Sequence, residues 1–341
     1  MYIGPDPFAR TTRGITEPDP VRPALRAAGP IVEVTAPDGG SAWIVTEEQL
    51  AREVFTHPGI AKDTALAPEW WTGLEPTAAE HPALTTLDGP EHTALRRAHA
   101  PVINARRVRE REEYLHELAR ELLGGCTGVV DLMADFTVRY PLTAVMDLLD
   151  IPLEHLDEAA DACKAVLVPE RQGEGIGRLI QLATTGKAEA PQGDPYQLFA
   201  LVFAGQITTD AALGFMIAHA LNDRGTDPIR DSLRRHPPAP FSLWRFTTAE
   251  LELAGTRLPK GAPVLIDIQG VNETGTDLSF GLGPHFCIGA QLAQLELRAV
   301  LTVLREDFPH ARLAVPFAEL RQVSFGGIQG SRLAELPVDF G

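Results

Sequence analysis

The chain has 341 residues and a formal net charge of −16, an acidic balance that excludes a general nucleic-acid binder, whose phosphate contacts need clustered Lys and Arg. Three cysteines, Cys126, Cys163 and Cys287, stand in no metal-finger or disulfide spacing, a sparse and odd set that suits a reducing cytoplasm. Thirty glycines and 28 prolines predict a loop-rich fold.

From the N-terminus, residues 1–7 show no basic region followed by an apolar run, so no signal peptide is expected. Residues 1–30 are proline-rich and read as coil with one short helix at about 20–28, leading into a single domain over 31–341. Segments 31–34 and 42–45, joined by Pro37-Asp38-Gly39-Gly40, predict a hairpin, and the Thr46 hydroxyl is a cap for the helix that follows. Between 63 and 86 the periodicity is lost. Trp70 and Trp71 on this loop either line an apolar pocket or anchor the loop itself. Residues 87–97 start a helix on which His92 and Arg96, four apart, share a face and can point at one anion, although such a pair alone is more often a solvated surface. Arg97, Arg106, Arg107 and Arg109 make a basic patch on an otherwise acidic chain.

Residues 108–167 read as helices interrupted at Gly124-Gly125 and Ile151-Pro152, with Leu142, Val145, Met146, Leu148 and Leu149 forming a core face. Segment 169–194 is weakly patterned. A long apolar helix is predicted from 196 to about 222; its densest apolar run, around 198–204, falls short of the ~18 residues of a membrane span, and a soluble protein is expected. Within it Gly205 costs ~1 kcal/mol relative to alanine and permits close approach of another group. Asp231 and Arg234 form an i,i+3 helix pair, ended by Pro237-Pro238-Ala239-Pro240. Strands are expected at 251–253 and 262–266, and a glycine-rich hairpin at 323–330.

The most informative stretch is Phe280-Gly281-Leu282-Gly283-Pro284-His285-Phe286-Cys287-Ile288-Gly289-Ala290, followed by apolar residues at helical spacing, Ala293, Leu297, Val300 and Leu304. A thiol just before a helix N-terminus meets free N–H groups and the positive end of the helix dipole, which favour its thiolate and make Cys287 a ligand candidate. The stretch resembles the haem-binding loop of the cytochrome P450 family in its phenylalanine, its two alternating glycines, the basic residue two before the cysteine and the glycine two after it. The resemblance extends from about 31 to 338. It implies a mainly α cytochrome P450 fold with a small sheet region, a haem b cofactor, and Cys287 as the axial thiolate to the iron. It also implies propionate contacts from His92, Arg96, Arg245 and His285, Phe280 packed near the sulfur, and Gly289 completing the loop. Ala204 and Gly205 match the central helix that crosses the haem, with Thr208 as its oxygen-activating alcohol. The implied substrate pocket draws on Trp70, Trp71, Ile207, Phe241, Leu243 and Ile328.

Set against the family, the chain departs in five ways. Ile207 stands where an acid precedes the threonine, and an aliphatic side chain relays no proton; Asp210 lies three residues beyond. Asp231 replaces the glutamate of the family's Glu-x-x-Arg helix. The segment after Thr209 and the meander before Phe280 are short. So is the roof over the pocket, so a second subunit or partner covering it stays open. The resemblance implies a monooxygenase that oxidises a small molecule of specialised metabolism, free or tethered to a carrier. It takes electrons from an acidic ferredoxin, docked on the basic patch, and works in the cytoplasm without nucleic acid or membrane. Ile207 motivates a second class: peroxide use, rearrangement, dehydration or substrate-assisted chemistry at the same haem. A non-catalytic partner protein that keeps the fold is the third.

Overall fold

The computed structural model describes residues 2–72, 80–225, 227–274 and 277–341. Helices dominate it: α1 (Val21–Ala28), α2 (Glu48–Thr56), α3 (Gly89–Ala98), α4 (Ala105–Glu110), α5 (Glu112–Gly124), α6 (Phe136–Leu148), α7 (Leu156–Val166), α8 (Gln172–Ala183), α9 (Tyr196–Asn222), α10 (Pro228–Arg235), α11 (Ile268–Asn272) and α12 (Ala290–Glu306). The central element is α9. Apolar residues on every side let it pack at once against α6, α8, α10 and α12, as a helix hydrophobic all round must. By length and composition α9 could cross a membrane, which corrects the expectation that no such stretch exists. However, 61% of its most apolar window is buried inside the protein, the behaviour of a core helix.

One core cluster joins α5, α6, α9 and α12 through Leu115, Tyr140, Phe215, Met216 and Leu297. A second unites α6, α7, α8 and the start of α9 through Leu142, Met146, Cys163, Leu179 and Phe199. The weakly patterned segment 169–194 thus contains a helix. Its Leu179, Leu182 and Ala183 face inward, while Gly175 lets α8 press onto α7, since a Cβ there would lie 2.7 Å from the Ala162 carbonyl oxygen.

A five-stranded sheet runs in the order Ile31–Thr35, Ser41–Val45, Pro263–Ile266, Arg245–Thr247, Ile60–Ala61, and its two faces carry separate apolar clusters. The predicted hairpin is present, with Ile31 opposite Val45 and Thr35 opposite Ser41. Sequence periodicity missed Arg245–Thr247 and Thr256–Leu258, which at three residues are too short to show alternation. It also missed Thr12–Gly14, which pairs with Arg321–Ser324, itself hairpinned to Ser331–Leu333, so the first thirty residues pack against the C-terminal hairpin. Thr46 does not cap α2: its hydroxyl donates to the Gly29 carbonyl at 2.6 Å, fastening the end of α1 to the strand before α2.

Candidate functional site

The loop from Phe280 to Gly289 is a backbone construction. Gly281 and Gly283 both sit at φ +72°, the left-handed region that L side chains avoid, and a Cβ on Gly283 would meet Thr56 Cγ2 at 2.7 Å. Loop and α2 are therefore in direct contact. The Cys287 N–H donates to the Phe280 carbonyl at 2.9 Å and the Phe286 N–H to Gly283 at 3.0 Å, which closes the loop and presents the thiol outward. Phe280 itself is half-buried against the main core, 6.4 Å from the Phe286 ring, and Phe286 is 43% exposed.

Desolvation by the surrounding protein raises the Cys287 pKa, while the N–H groups of Gly289 and Ala290 and the charge of Arg96 pull it down. The net shift is upward. This corrects the expectation of an acidified thiol: the helix N-terminus contributes as predicted, but desolvation outweighs it.

Beside this loop, basic residues from three distant segments come together, His285 and Arg245 against Asp88 and Arg96 beside His92. His92 on α3 is 2% exposed, its ring centroid is 4.2 Å from that of His285, and its Nε2 is buried without a hydrogen-bond partner. Burial, together with His285 and Arg96, outweighs the attraction of Asp88 and pushes its pKa down to about 4, so it is neutral near pH 7. Arg96 donates from Nη2 to the Phe286 carbonyl at 2.7 Å, tying α3 to the cysteine loop. Arg245, on the strand Arg245–Thr247, is buried with its guanidinium 5.1 Å from the Phe55 ring centroid. His285 is held between the Leu84 carbonyl at 3.1 Å and Asp88 Oδ1 at 2.9 Å.

Asp88 is the residue that sequence reasoning passed over. Burial acts to raise its pKa, but hydrogen bonds from His285 and the Lys62 N–H, and the charge of Arg245, outweigh that and leave it low. Its only signal was an acid at the position preceding the Gly-Pro helix start. The assembly suits a group that is anionic at its edge and ligated by a thiolate. It offers a thiol backed by two N–H groups and two arginines, while buried His92 retains a free ring nitrogen.

On α9, Ala204 is exposed and Thr208 partly so, one turn apart, with Thr208 Oγ1 donating to the Ala204 carbonyl at 2.7 Å. A Cβ on Gly205 would lie 3.5 Å from Val145 Cγ2, ordinary contact, so this glycine is not required by packing. Ile207 faces elsewhere, into a cavity it shares with Asp210 and Arg332. Asp210 is buried and paired with Arg332 at 3.2 Å.

The predicted pocket residues fall into two groups. Trp70, Trp71, Phe241 and Ile328 converge on one apolar cluster at the sheet. There Trp71 meets Phe246 edge-on at 5.4 Å, and Phe241, 1% exposed, lies under the Arg22 guanidinium at 4.4 Å, so these side chains brace the loops they sit on. Leu243 instead points out, 40% exposed, two residues before Arg245. Residues 73–79 of the tryptophan loop lie outside the described residues.

Two further expectations change. Arg106 points outward but is paired with Glu110 at 2.8 Å, and Arg107 turns inward to the carbonyls of Pro101 and Leu148, which leaves Arg97 and Arg109 as the outward members of the basic patch without an ion pair among the described residues. Among the described residues Asp231 and Arg234 form no ion pair; Arg234 Nε donates to the Asn272 carbonyl at 3.3 Å, fastening α10 to α11.

No protein-family model matches the chain. It is 36% identical to the cytochrome P-450 monooxygenase DoxA of Streptomyces sp. (strain C5), with 98% of each chain covered. That alignment spans 413 positions against a chain of 341, so at least 72 positions of the relative have no counterpart here. The chain is also 27% identical to the vitamin D(3) 25-hydroxylase of Pseudonocardia autotrophica, over 95% of this chain and 94% of that one. Among solved structures, CYP154C4 from Streptomyces sp. W2061 superposes with a TM-score of 0.83 at 24% identity, covering 100% of this chain and 98% of that one.

Proposed function

The chain belongs to the cytochrome P450 family, as a haem-thiolate monooxygenase, and from that premise we propose that Cys287 is the ligand through which it holds the iron. The loop geometry carries this reading: a thiol presented outward by a closed loop, with the Gly289 and Ala290 N–H groups directed at it. Haem, when bound, supplies an iron centre at which O2 is activated for insertion of one oxygen atom into the substrate.

The chain's own residues do the rest. The Gly289 and Ala290 N–H groups and Arg96 stabilise negative charge on Sγ. His92 donates its unpartnered ring N–H to one propionate, and Arg96 and Arg245 complete the pair of anion sites; His285, whose two ring nitrogens are engaged by the Leu84 carbonyl and Asp88, borders these sites and joins them by exchanging Asp88 for a propionate. Thr208 holds a hydroxyl proton at Oγ1 against the Ala204 carbonyl and can accept a second on its free lone pairs. Residue 207 adds no acid. Monooxygenation consumes two protons and two electrons as the second oxygen atom leaves as water, so those protons come through Thr208 from ordered water or from a polar group of the substrate.

Ile207 also supports a second reading, in which the same haem uses peroxide or rearranges its substrate. The substrate is a small organic molecule of specialised metabolism, in line with the monooxygenases this chain resembles. An acidic ferredoxin docks at Arg97 and Arg109 to deliver electrons, and the protein works in the cytoplasm. The test is turnover of a panel of small organic substrates with NADPH, ferredoxin reductase and ferredoxin, and separately with peroxide alone. Oxygenated product in the first arm, with O2 consumed, supports the first reading. Product only with peroxide, or an isomerised product without O2 uptake, selects the second.

A further inference from the structure

A cavity of about 500 Å³ lies beside α9, lined by Gln206, Ile207 and Asp210 but not by Ala204 or Thr208. At 3.6 residues per turn, 204 and 208 fall within about 40° of each other while 206, 207 and 210 occupy another sector, so the cavity is on a different face of the helix. Leu167, Val168, Val323 and Phe325 make its other walls apolar. Its size lies in the ~300–1,000 Å³ range of pockets for organic ligands.

Its charges are unbalanced. Arg332 spends Nη2 on both Asp210 Oδ1, at 3.2 Å, and the Met133 carbonyl, at 2.9 Å, leaving Nη1 outside those bonds. Arg10 and Lys164 line the cavity as exposed residues, and neither forms an ion pair with another described residue. Three cationic side chains thus face one carboxylate, on a chain whose net charge is −16.

We propose that this cavity binds an amphipathic carboxylate, its apolar body against Ile207, Leu167, Val168 and Phe325 and its carboxylate among Arg10, Lys164 and Arg332 Nη1. A ligand so placed sets a negative charge beside position 207, where the family resemblance leads one to expect an acid and this chain has isoleucine. That consequence rests on the haem reading of α9. The binding itself does not.

The test is isothermal titration of the haem-loaded protein with 2-naphthylacetate and with its neutral counterpart 2-naphthylacetamide. The acid should bind with one site per chain and the amide about tenfold or more weakly, the loss expected when a charge-assisted hydrogen bond becomes a neutral one. Val168→Trp, which fills the cavity, and Ile207→Glu, which brings its own carboxylate, should each weaken the acid by about tenfold or more. Val168→Trp should keep the wild-type carbon-monoxide spectrum, which separates loss of the site from loss of the fold. Cys287→Ser breaks the haem reading but should leave the acid's affinity unchanged, so the two claims fail separately. No heat from the acid, equal affinities for acid and amide, or undiminished binding in both Val168→Trp and Ile207→Glu would overturn the proposal.

Discussion

The cysteine loop and the Thr208 face of α9 are built on different principles. The loop is over-determined: two glycines at φ +72°, two backbone hydrogen bonds, contact with Thr56 and the Arg96 tether all specify one shape. Around Thr208 little is specified. One intrahelical hydrogen bond holds its hydroxyl, and the neighbouring residue is aliphatic and turned toward another cavity. A site assembled this way keeps its ligand geometry through large deletions elsewhere, because the thiol is held by backbone structure within the loop and by α2 and α3, which tether it through Thr56 and Arg96. Its proton supply, by contrast, depends on single side chains and can be lost at one position.

Thr208→Ala should therefore have the largest effect on turnover. Proton delivery by a positioned group contributes ~10²–10⁴-fold, and with no acid at 207 the loss should sit near the lower end, read as product formed per O2 consumed with peroxide release measured in parallel. Ile207→Glu should raise that ratio if position 207 limits it. Unchanged coupling in Thr208→Ala would dissolve the contrast between the two regions.

On the loop side, Arg245→Ala and Arg96→Ala should each weaken haem retention by ~1.5–3 kcal/mol, the worth of a charge-assisted hydrogen bond, seen as faster haem transfer to an acceptor protein. Wild-type transfer rates in both variants would remove these residues from the anion sites. Gly283→Ala asks whether the loop is as constrained as its geometry indicates. A methyl group at φ +72° and 2.7 Å from Thr56 should cost about 1–3 kcal/mol, read as a lowered chemical-denaturation midpoint. A neutral outcome would show the loop to be pliable.

The smallest effect belongs to the outer surface. Arg97→Glu with Arg109→Glu should slow reduction by an acidic ferredoxin a few-fold at low salt and little at high salt, because exposed charges are screened beyond a Debye length of ~8–10 Å. A rate independent of ionic strength in the wild type would discard the electrostatic docking face.

How much of this was legible in the chain follows the same division. Long periodic helices and the loop motif could be read directly: α9 was predicted from 196 to about 222 and runs Tyr196–Asn222. His92, Arg96, Arg245 and His285 are named from the resemblance, and the structure sets His92, Arg245 and His285 near Asp88 and Arg96 beside His92 and the cysteine loop. What could not be read depended on long-range contacts. Thr12–Gly14 becomes a strand only because Arg321–Ser324 lies beside it, and α8 packs through Gly175, a poor helix former that weakens any sequence signal. The basic patch failed in part because Arg107 finds two carbonyls, and a count of charges does not show which of them turn inward. The Cys287 thiol was expected to be acidified by the helix N-terminus, but desolvation, invisible in sequence, dominates.

The most direct test of the central claim is the reduced, carbon-monoxide-bound absorption spectrum of the haem-loaded protein, recorded for wild type and Cys287→Ser. Thiolate ligation through Cys287 predicts a strongly red-shifted Soret band in the wild type and its disappearance in the variant; the same red-shifted band in Cys287→Ser, or its absence from the fully loaded wild type, would contradict the assignment.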